Sequence, residues 1–261
     1  MTRVIAVANQ KGGVGKTTTT ESLGIGLAQQ GKRVLLVDAD PQGSLTIGLG
    51  YREPDRIEDT MYEIMQAAIE DSGTTDLREA TLHHAEGVDL LPANIRLAAM
   101  EMQLLNVMMG ETIMQRIVES VKTNYDYVII DCMPSLGLLT INALTAADSV
   151  IIPVQAQYLS ARGLEQLLQS IAKIRKRINP LLQIGGILTT MIADRTNIAK
   201  DITALIQDAY GANVRIYSSR IPQSVRVAES AAKGCSIYTY DGRGKAAKAY
   251  RRFVEEVMRD E

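Results

Sequence analysis

The sequence is poor in cysteine and in aromatic residues: its 261 residues include two cysteines, and only 4% of them are aromatic, with ten tyrosines, one phenylalanine and no tryptophan. Cys132 and Cys235 match neither a disulfide framework nor a metal-ligand spacing, so both are predicted to be free thiols. An iron–sulfur centre would need a paired arrangement of cysteines, which this pattern does not offer. With so few aromatic rings, stacking of bases on side chains is a poor mode of nucleic-acid binding.

Long hydrophobic runs are absent as well. No stretch reaches the roughly 18 consecutive apolar residues of a membrane-spanning helix, and the first predicted strand starts at Val4, which leaves no room for a signal peptide. We therefore expect a cytosolic protein with no membrane partner. A chain in which 46% of residues are apolar is long enough for one large core, and we expect a single domain over residues 1–261.

The net charge is only −2, but the charges are unevenly distributed. Residues 1–161 hold 11 Lys and Arg against 20 Asp and Glu, whereas residues 162–261 hold 17 against 10. Lys245, Lys248 and Arg252 follow the i, i+3, i+7 spacing of one helix face. We expect these three to contact DNA phosphates without reading base sequence; ordinary solvated helix faces are the alternative.

Short β-branched runs alternate with helical patterns, which is typical of parallel strands joined by crossover helices. The predicted strands are Val4–Ala8, Arg33–Val37, Val88–Leu91, Tyr127–Ile130, Ser149–Pro153, Ile184–Met191 and Val214–Tyr217. Several are continuous apolar runs, as expected for strands covered on both faces. The sequence thus predicts an α/β fold: a mostly parallel, twisted sheet with helices on both faces.

Helix signals are of unequal strength. An amphipathic helix is predicted from Thr17 to Gly31, a natural C-cap, and a last helix from about Gly244 to Met258. Tyr51–Met109 lacks a clear period, so we expect helices and loops packed beside the sheet. The Met-rich stretch Met100–Met114 is expected to supply adaptable packing.

A glycine-rich turn joins the first predicted strand to the first predicted helix. It reads Lys11, Gly12, Gly13, Val14, Gly15, Lys16, Thr17, Thr18. Glycines let backbone amides approach a polyphosphate without Cβ collisions, and the first amides of the helix add unpaired donors and a positive dipole end. Lys16 is placed to reach the β and γ phosphates, and the Thr17 hydroxyl can bind Mg²⁺. The whole turn is predicted to bind a nucleotide.

The turn departs from the usual pattern G-x-x-x-x-G-K-[ST], because Gln10 stands where the first glycine is expected and Lys11 follows it. A second amine beside the phosphates supplies positive charge where the transferred group develops negative charge, as an arginine finger does. Lys11 is therefore predicted to bind the nucleotide and to act in catalysis; a solvated lysine beside a loop is the alternative.

Three aspartates follow predicted strands. Asp38 and Asp40 come after one apolar run and Asp131 after another, and the carboxyl ends of parallel strands are where open α/β sheets bind ligands. Asp131 is predicted to hold Mg²⁺ through a water, with Asp38 in the outer shell of the metal. Asp40 is predicted to orient or deprotonate the attacking water.

These segments resemble the ParA/Soj branch of the ParA/MinD superfamily of partition ATPases. The two-lysine turn, Leu35–Gln42 and Asp131–Ser135 carry the resemblance most specifically. Softer matches are Val154–Tyr158, Thr190-Met191, Asp194–Thr196, Ile221-Pro222 and Val225-Arg226. The resemblance covers essentially the whole chain.

The resemblance implies a slow Mg²⁺-dependent ATP hydrolase that dimerises with ATP, in which Lys11 acts on the nucleotide of the other subunit. It implies that Lys16 and Asp40 serve hydrolysis and that Pro222 forms a wall around the adenine. Arg195 and Arg226 are similar to arginines that hold double-stranded DNA non-specifically. A ParB-like DNA-binding partner and a nucleoid-associated, cytoplasmic location are further expectations.

Two other functions fit the same scaffold. A MinD-like cell-division regulator would need a C-terminal amphipathic anchor with a broad apolar face, but Tyr250–Glu261 ends in several charges. A metabolic enzyme, such as an amidoligase or a metal-cluster assembly ATPase, would instead consume ATP with its own substrate.

Overall fold

The computed structural model describes residues 2–71, 77, 80–155, 160–193, 204 and 206–259. Its strands are β1 (Arg3–Val7), β2 (Val34–Ala39), β3 (Leu82–His83), β4 (Asp89–Leu91), β5 (Tyr127–Cys132), β6 (Ser149–Gln155), β7 (Gln183–Ile192) and β8 (Ile216–Pro222). Its helices are α1 (Lys16–Ala28), α2 (Ser44–Gly48), α3 (Met61–Glu70), α4 (Met100–Leu104), α5 (Ile113–Val121), α6 (Leu138–Ala146), α7 (Ser160–Arg177), α8 (residues 206–210), α9 (Val225–Lys233), α10 (Ile237–Asp241) and α11 (Lys245–Met258).

The strands form one sheet in the order β3-β4-β2-β5-β1-β6-β7-β8. β3 runs antiparallel to β4, and the other neighbours are parallel. The predicted α/β fold is therefore confirmed, and each predicted strand has a counterpart. β3 was not predicted, because two residues give no periodic signal.

β8 differs from its prediction, since it starts at Ile216 and continues to Pro222. Buried and exposed residues alternate along it, with Ser218 and Arg220 exposed. It is the edge strand beside β7, and Ser218 and Arg220 lie on its solvated face. Because the residues of that face are polar, no continuous apolar run marks the second half of the strand in the sequence.

Side chains of the central strands divide between two cores, one on each face of the sheet. In β1, Val4 and Ala6 join one core, while Ile5 and Val7 join the other. Helices α3 to α7 complete the first core, and α1, α2, α10 and α11 complete the second. This sandwich fixes the strands so that the loops after β1, β2 and β5 meet at one edge.

Helix α1 begins at Lys16, directly after the glycine-rich turn, and ends at Ala28. Gly31, with a φ of 79°, closes a further turn by donating its amide to the Ala28 carbonyl, so the predicted helix end at Gly31 is three residues too late. The predicted amphipathic character is wrong, because most of the helix is buried between the sheet and α11.

The segment Tyr51–Met109 contains α3, α4, short 3₁₀ turns and β4, packed beside the sheet as expected. Met100 and Met114 are buried in the core, as the packing prediction requires. That prediction is wrong for Met102, Met108 and Met109, which are 67%, 92% and 62% exposed. Within the described ranges, no helix is both long and apolar enough to cross a membrane.

Candidate functional site

The glycine-rich turn lies between β1 and α1, at the carboxyl-terminal edge of the sheet. Gly13 and Gly15 have φ angles of 72° and 84°, in the left-handed region that glycine adopts without strain. A Cβ built on Gly12 or Gly13 would have no atom within 4 Å. The backbone of the turn thus faces open space, as a phosphate-binding loop requires.

Two side chains fasten this turn to neighbouring strands. Asn9 donates through Nδ2 to the Pro153 carbonyl of β6 at 2.7 Å, and its Oδ1 accepts from the Lys11 amide at 3.0 Å. Thr190 of β7 donates its hydroxyl to the Val14 carbonyl at 2.8 Å. Sequence reasoning missed Asn9, and it noted Thr190 only inside a softer matching segment.

Lys16 is enclosed at the start of α1. Its side chain donates through Nζ to the Lys11 carbonyl at 3.3 Å, and the residue is 7% exposed. Burial lowers the pKa of Lys16, while the nearby carboxylates of Asp131 and Asp40 oppose the shift. A largely dehydrated ammonium group at this position favours an anionic ligand.

Lys11 has different surroundings from Lys16. Its amide is bound to Asn9, but the structure gives its ammonium group no hydrogen-bond or ion-pair partner within the described part of the chain. The residue is partly exposed. Its charge is therefore available to a ligand or to another molecule.

Asp131 lies in β5, paired in register with Asp38 of β2, and is 1% exposed. Thr20 donates to its Oδ1 at 3.3 Å, whereas Oδ2 is buried with no hydrogen-bond partner in the described residues. Burial raises the pKa of Asp131 to about 8, Asp38 adds to the shift, and Thr17 and Lys16 oppose it. A buried carboxylate oxygen without a partner is costly, so this geometry fits a bound cation.

Asp38 and Asp40 shape the neighbouring loop. Asp38 accepts from the amide and hydroxyl of Thr46 at 2.9 and 2.8 Å, and from the Asp40 amide at 3.2 Å. Burial raises the pKa of Asp38 to about 6 despite these hydrogen bonds. Asp40 accepts from the Gln42 amide at 2.9 Å and is 9% exposed. The structure therefore brings all three predicted aspartates to the turn, and adds Thr46, which sequence reasoning missed.

A cavity of about 910 Å³ opens beside the turn. Gly15, Thr18, Met191, Pro222 and Lys245 are among its lining residues. Met191 has a φ of 52°. Residues other than glycine rarely adopt this backbone conformation, and those that do cluster at functional sites. Pro222 thus shares a cavity with Gly15 and Thr18 of the turn.

Comparison with known proteins identifies the family. Residues 2–184 match the family described as AAA domain. The sporulation initiation inhibitor protein Soj of Bacillus subtilis (strain 168) is 45% identical over 257 residues, which cover 98% of each chain. The chain belongs to the ParA/Soj family of P-loop ATPases.

Two further relatives extend the comparison. The chromosome partitioning protein ParA of Caulobacter vibrioides is 37% identical over 260 residues, 98% of this ParA/Soj chain and 94% of that protein. The crystal structure of cobyrinic acid a,c-diamide synthase from Mycobacterium smegmatis with bound ADP and magnesium has a TM-score of 0.86 and 40% identity, covering 99% of this chain and 95% of that one.

The C-terminal helix of this ParA/Soj chain carries the basic residues that sequence reasoning grouped together. Lys245, Lys248 and Arg252 of α11 line a cavity of about 520 Å³ with Arg220 of β8. We call these four residues and their cavity the basic groove. Arg259, Glu255 and Glu256 also line the groove. Arg220 was not predicted, since the sequence placed it outside any element.

The two arginines predicted from family resemblance are placed differently. Arg226 lies on α9 and pairs with Glu229 at 2.9 Å, and Tyr240 also donates to Glu229. Its side chain remains 59% exposed. Arg195 lies outside the described residues.

Proposed function

We propose that this chain is a Mg²⁺-dependent ATPase whose ATP-bound homodimer holds double-stranded DNA without sequence preference and releases it on hydrolysis. Its cycle positions a DNA or protein cargo, with a ParB-like partner that stimulates slow turnover. The contrast between the two lysines of the turn carries the proposal. Lys16 is enclosed beside Asp131, whereas Lys11 has no described partner and is available to a nucleotide of a second subunit.

The turn binds the phosphates of ATP through its backbone amides and Lys16. Gly12 to Thr18 surround the phosphate chain, with the amides of α1 adding the positive end of the helix dipole. The adenine occupies the cavity that Pro222 lines with Thr18 and Met191. Asn9 and Thr190 keep the turn in its binding conformation before ATP arrives, which reduces the ordering cost of binding.

The residues also fit magnesium. Thr17 offers a hydroxyl, and Asp131 offers the buried Oδ2 that has no described partner. Mg²⁺ is usually held by one or two carboxylates together with substrate phosphates, and the described residues contain no group of three His, Cys, Asp or Glu that could hold a metal alone. When bound, the ion would neutralise charge on the β and γ phosphates. Asp38, already hydrogen-bonded to Thr46, would act in the outer shell of the ion.

Hydrolysis requires a positioned water and a neutralised leaving group. Asp40 orients the water and accepts its proton. The water oxygen bonds to the γ-phosphorus, the bond to the β–γ bridging oxygen breaks, and ADP leaves with that electron pair. Lys16 and the Lys11 of the opposite subunit stabilise the negative charge that develops. Loss of the γ-phosphate removes the group that Lys11 binds across the dimer, so the dimer separates.

DNA binding rests on phosphate contacts. The basic groove places Lys245, Lys248 and Arg252 on one face of α11, beside Arg220. Arg226 and Arg195 are further candidates for contact with DNA phosphates, from the family resemblance. Contacts of this kind do not distinguish base sequences, and the affinity they provide falls steeply as the salt concentration rises.

The two alternative functions can be separated from this one. A membrane anchor on α11 would need an exposed apolar face, but Tyr250, Phe253 and Val257 of that helix are buried in the core. The similarity to cobyrinic acid a,c-diamide synthase favours an amide-forming enzyme as a second candidate. That enzyme would consume ATP in proportion to cobyrinic acid and would ignore DNA.

The deciding experiment is a gel shift on random duplex DNA with ATP, ADP or no nucleotide, combined with light scattering to measure mass. We expect a dimer and a retarded DNA band with ATP, but neither with ADP nor without nucleotide. The retarded band should persist for Asp40→Ala, because this variant does not hydrolyse its ATP. A monomer that ignores DNA in all three states would refute the proposal, and ATP consumption that depends on cobyrinic acid would favour the second candidate.

A further inference from the structure

Asn9 lies between the first strand and the glycine-rich turn, and its side chain bonds to both the turn and a neighbouring strand. The residue is buried. Nδ2 donates to the Pro153 carbonyl of β6 at 2.7 Å, and Oδ1 accepts from the Lys11 amide at 3.0 Å. Because one partner only accepts and the other only donates, a single orientation of the carboxamide satisfies both. Asn9 thus ties the Lys11 peptide to the sheet.

The backbone of Lys11 is held at its amide and at its carbonyl. Asn9 binds the amide, and Lys16 donates through Nζ to the carbonyl at 3.3 Å. The next residues have little support, since a Cβ on Gly12 or Gly13 would have no atom within 4 Å. In the proposed function, Lys16 binds the phosphates of ATP and leaves the Lys11 carbonyl. Among the described residues, Asn9 is then the hydrogen-bond partner that still holds Lys11.

The other contact that fastens the turn acts at a different place. Thr190 of β7 is buried and donates its hydroxyl to the Val14 carbonyl at 2.8 Å. Val14 lies within the run of residues that would surround the phosphates, whereas Lys11 is the first residue of the turn. Loss of the Thr190 hydroxyl should therefore affect ATP binding, and loss of the Asn9 carboxamide should affect the placement of Lys11.

We propose that Asn9 is a positioning residue for Lys11. Its carboxamide fixes the Lys11 backbone, so that the ammonium group meets the γ-phosphate in the second subunit in one conformation. When the placement of a group that acts in the transition state loosens, the rate falls and the affinity for the substrate changes little. This inference rests on the proposed function, because it requires Lys11 to act across the dimer.

Asparagine suits this position because one short planar group must both accept and donate. Aspartate would keep the acceptor for the Lys11 amide, but an ionised carboxylate cannot donate to the Pro153 carbonyl. A serine hydroxyl can accept from the amide two residues further on, although more weakly than asparagine. Asn9→Ser should therefore retain part of the positioning effect, and Asn9→Ala should lose all of it.

The test is a double-mutant cycle of Asn9→Ala and Lys11→Ala in the full chain. Single-turnover hydrolysis of radiolabelled ATP measures the slow rates, and a fluorescent ATP analogue measures affinity. Asn9→Ala should lower turnover by about tenfold and keep ATP affinity within about threefold of the wild type, with Asn9→Ser between them in turnover. In the Lys11→Ala background, Asn9→Ala should change turnover by less than about twofold, because the group that it positions is absent.

Thr190→Val is the matched control, because it removes the hydroxyl that holds Val14 and leaves the contacts of Lys11 in place. It should lower ATP affinity, and by the same factor with or without Lys11. Urea unfolding establishes that each variant is folded. If Asn9→Ala does not fold, Asn9→Ser replaces it in the cycle and is judged by the same comparison of backgrounds.

An equal loss of turnover from the Asn9 variant in both backgrounds would overturn the inference, since Asn9 would then act on the turn as a whole. Unchanged turnover in Asn9→Ala would overturn it as well. Normal turnover in Lys11→Ala alone would instead refute the role of Lys11 in the proposed function. The two failures are therefore distinguishable within one set of measurements.

Discussion

At the scale of single residues, the contrasting surroundings of Lys16 and Lys11 predict that removing one lysine affects ATP binding and removing the other affects ATP turnover. Lys16 is enclosed in the turn, whereas Lys11 has no described partner. Lys16→Ala should abolish ATP binding. Lys11→Ala should keep ATP binding within a few fold but lower turnover by about 10²- to 10³-fold, because a charge supplied across an interface acts on the transition state.

A fluorescent ATP analogue measures binding in these variants, and released phosphate measures turnover. Lys176→Ala is the control, because this exposed lysine of α7 lies outside the turn. Normal turnover in Lys11→Ala would contradict the role across the dimer.

Glu21 offers a second prediction for a single residue. It is 5% exposed on α1, and no described residue hydrogen-bonds to its carboxyl group. Burial raises the pKa of Glu21 from 4.5 to about 8, with Glu86 and Asp131 adding to the shift. The folded state thus keeps a proton that the unfolded chain releases between pH 4.5 and 8.

This difference in protonation between the folded and unfolded states sets the sign of the pH dependence of stability. Below pH 4.5 both states are protonated, and as pH rises towards 8 the carboxyl costs the folded state up to about 1.4 kcal/mol for each pH unit. Glu21→Gln removes the titration, so the variant should gain stability over the wild type as pH rises from 5 to 8. Urea unfolding without nucleotide at both pH values measures this, and Glu70→Gln, on an exposed site of α3, should show no such trend. Parallel pH profiles would contradict the burial argument.

At the scale of elements, Glu256 joins α11 to the edge strand β8. Its carboxylate accepts from the Ser219 and Ser218 amides at 2.7 and 2.8 Å. Glu256→Ala leaves two strand amides without this acceptor and should lower the free energy of unfolding by about 1–3 kcal/mol. Glu255→Ala is the matched control, because the only polar contact of the Glu255 carboxylate among the described residues is a 3.8 Å contact with Arg259. Equal stability of the two variants in urea would show that water replaces the carboxylate without loss.

The same elements show which features a sequence can predict. Buried strands such as β2 and β5 were predicted because continuous apolar runs and a following aspartate are local patterns. The contacts that hold the turn were not predicted, since Asn9 and Thr190 bind carbonyls that lie 144 and 176 positions away in the sequence. The exposure of Met108 was missed for a similar reason: methionine content predicts packing, but only the tertiary fold decides which side chains find neighbours.

At the scale of the whole molecule, opposite charges lie on separate surfaces. Residues 53–71 hold seven acidic residues and one basic residue and include α3, which contacts α4, while the basic groove lies between α11 and β8. A net charge of −2 hides this separation. In the proposed function, non-specific DNA binding depends chiefly on the groove, and its salt dependence counts the phosphates that the protein contacts.

The triple variant Lys245→Ala, Lys248→Ala, Arg252→Ala tests this count. Each lost phosphate contact reduces the slope of log affinity against log salt by about 0.9, so the triple variant should reduce it by up to about 2.7. Anisotropy of labelled duplex with ATP, from low to moderate salt, gives the slope. A control variant with the same change in charge combines Arg33→Ala, Arg56→Ala and Lys122→Ala. These residues lie outside the groove, so the control should keep the slope of the wild type. ATP affinity is measured in parallel, because Lys245 also lines the proposed adenine cavity; an unchanged slope with intact ATP binding would move the DNA surface away from α11.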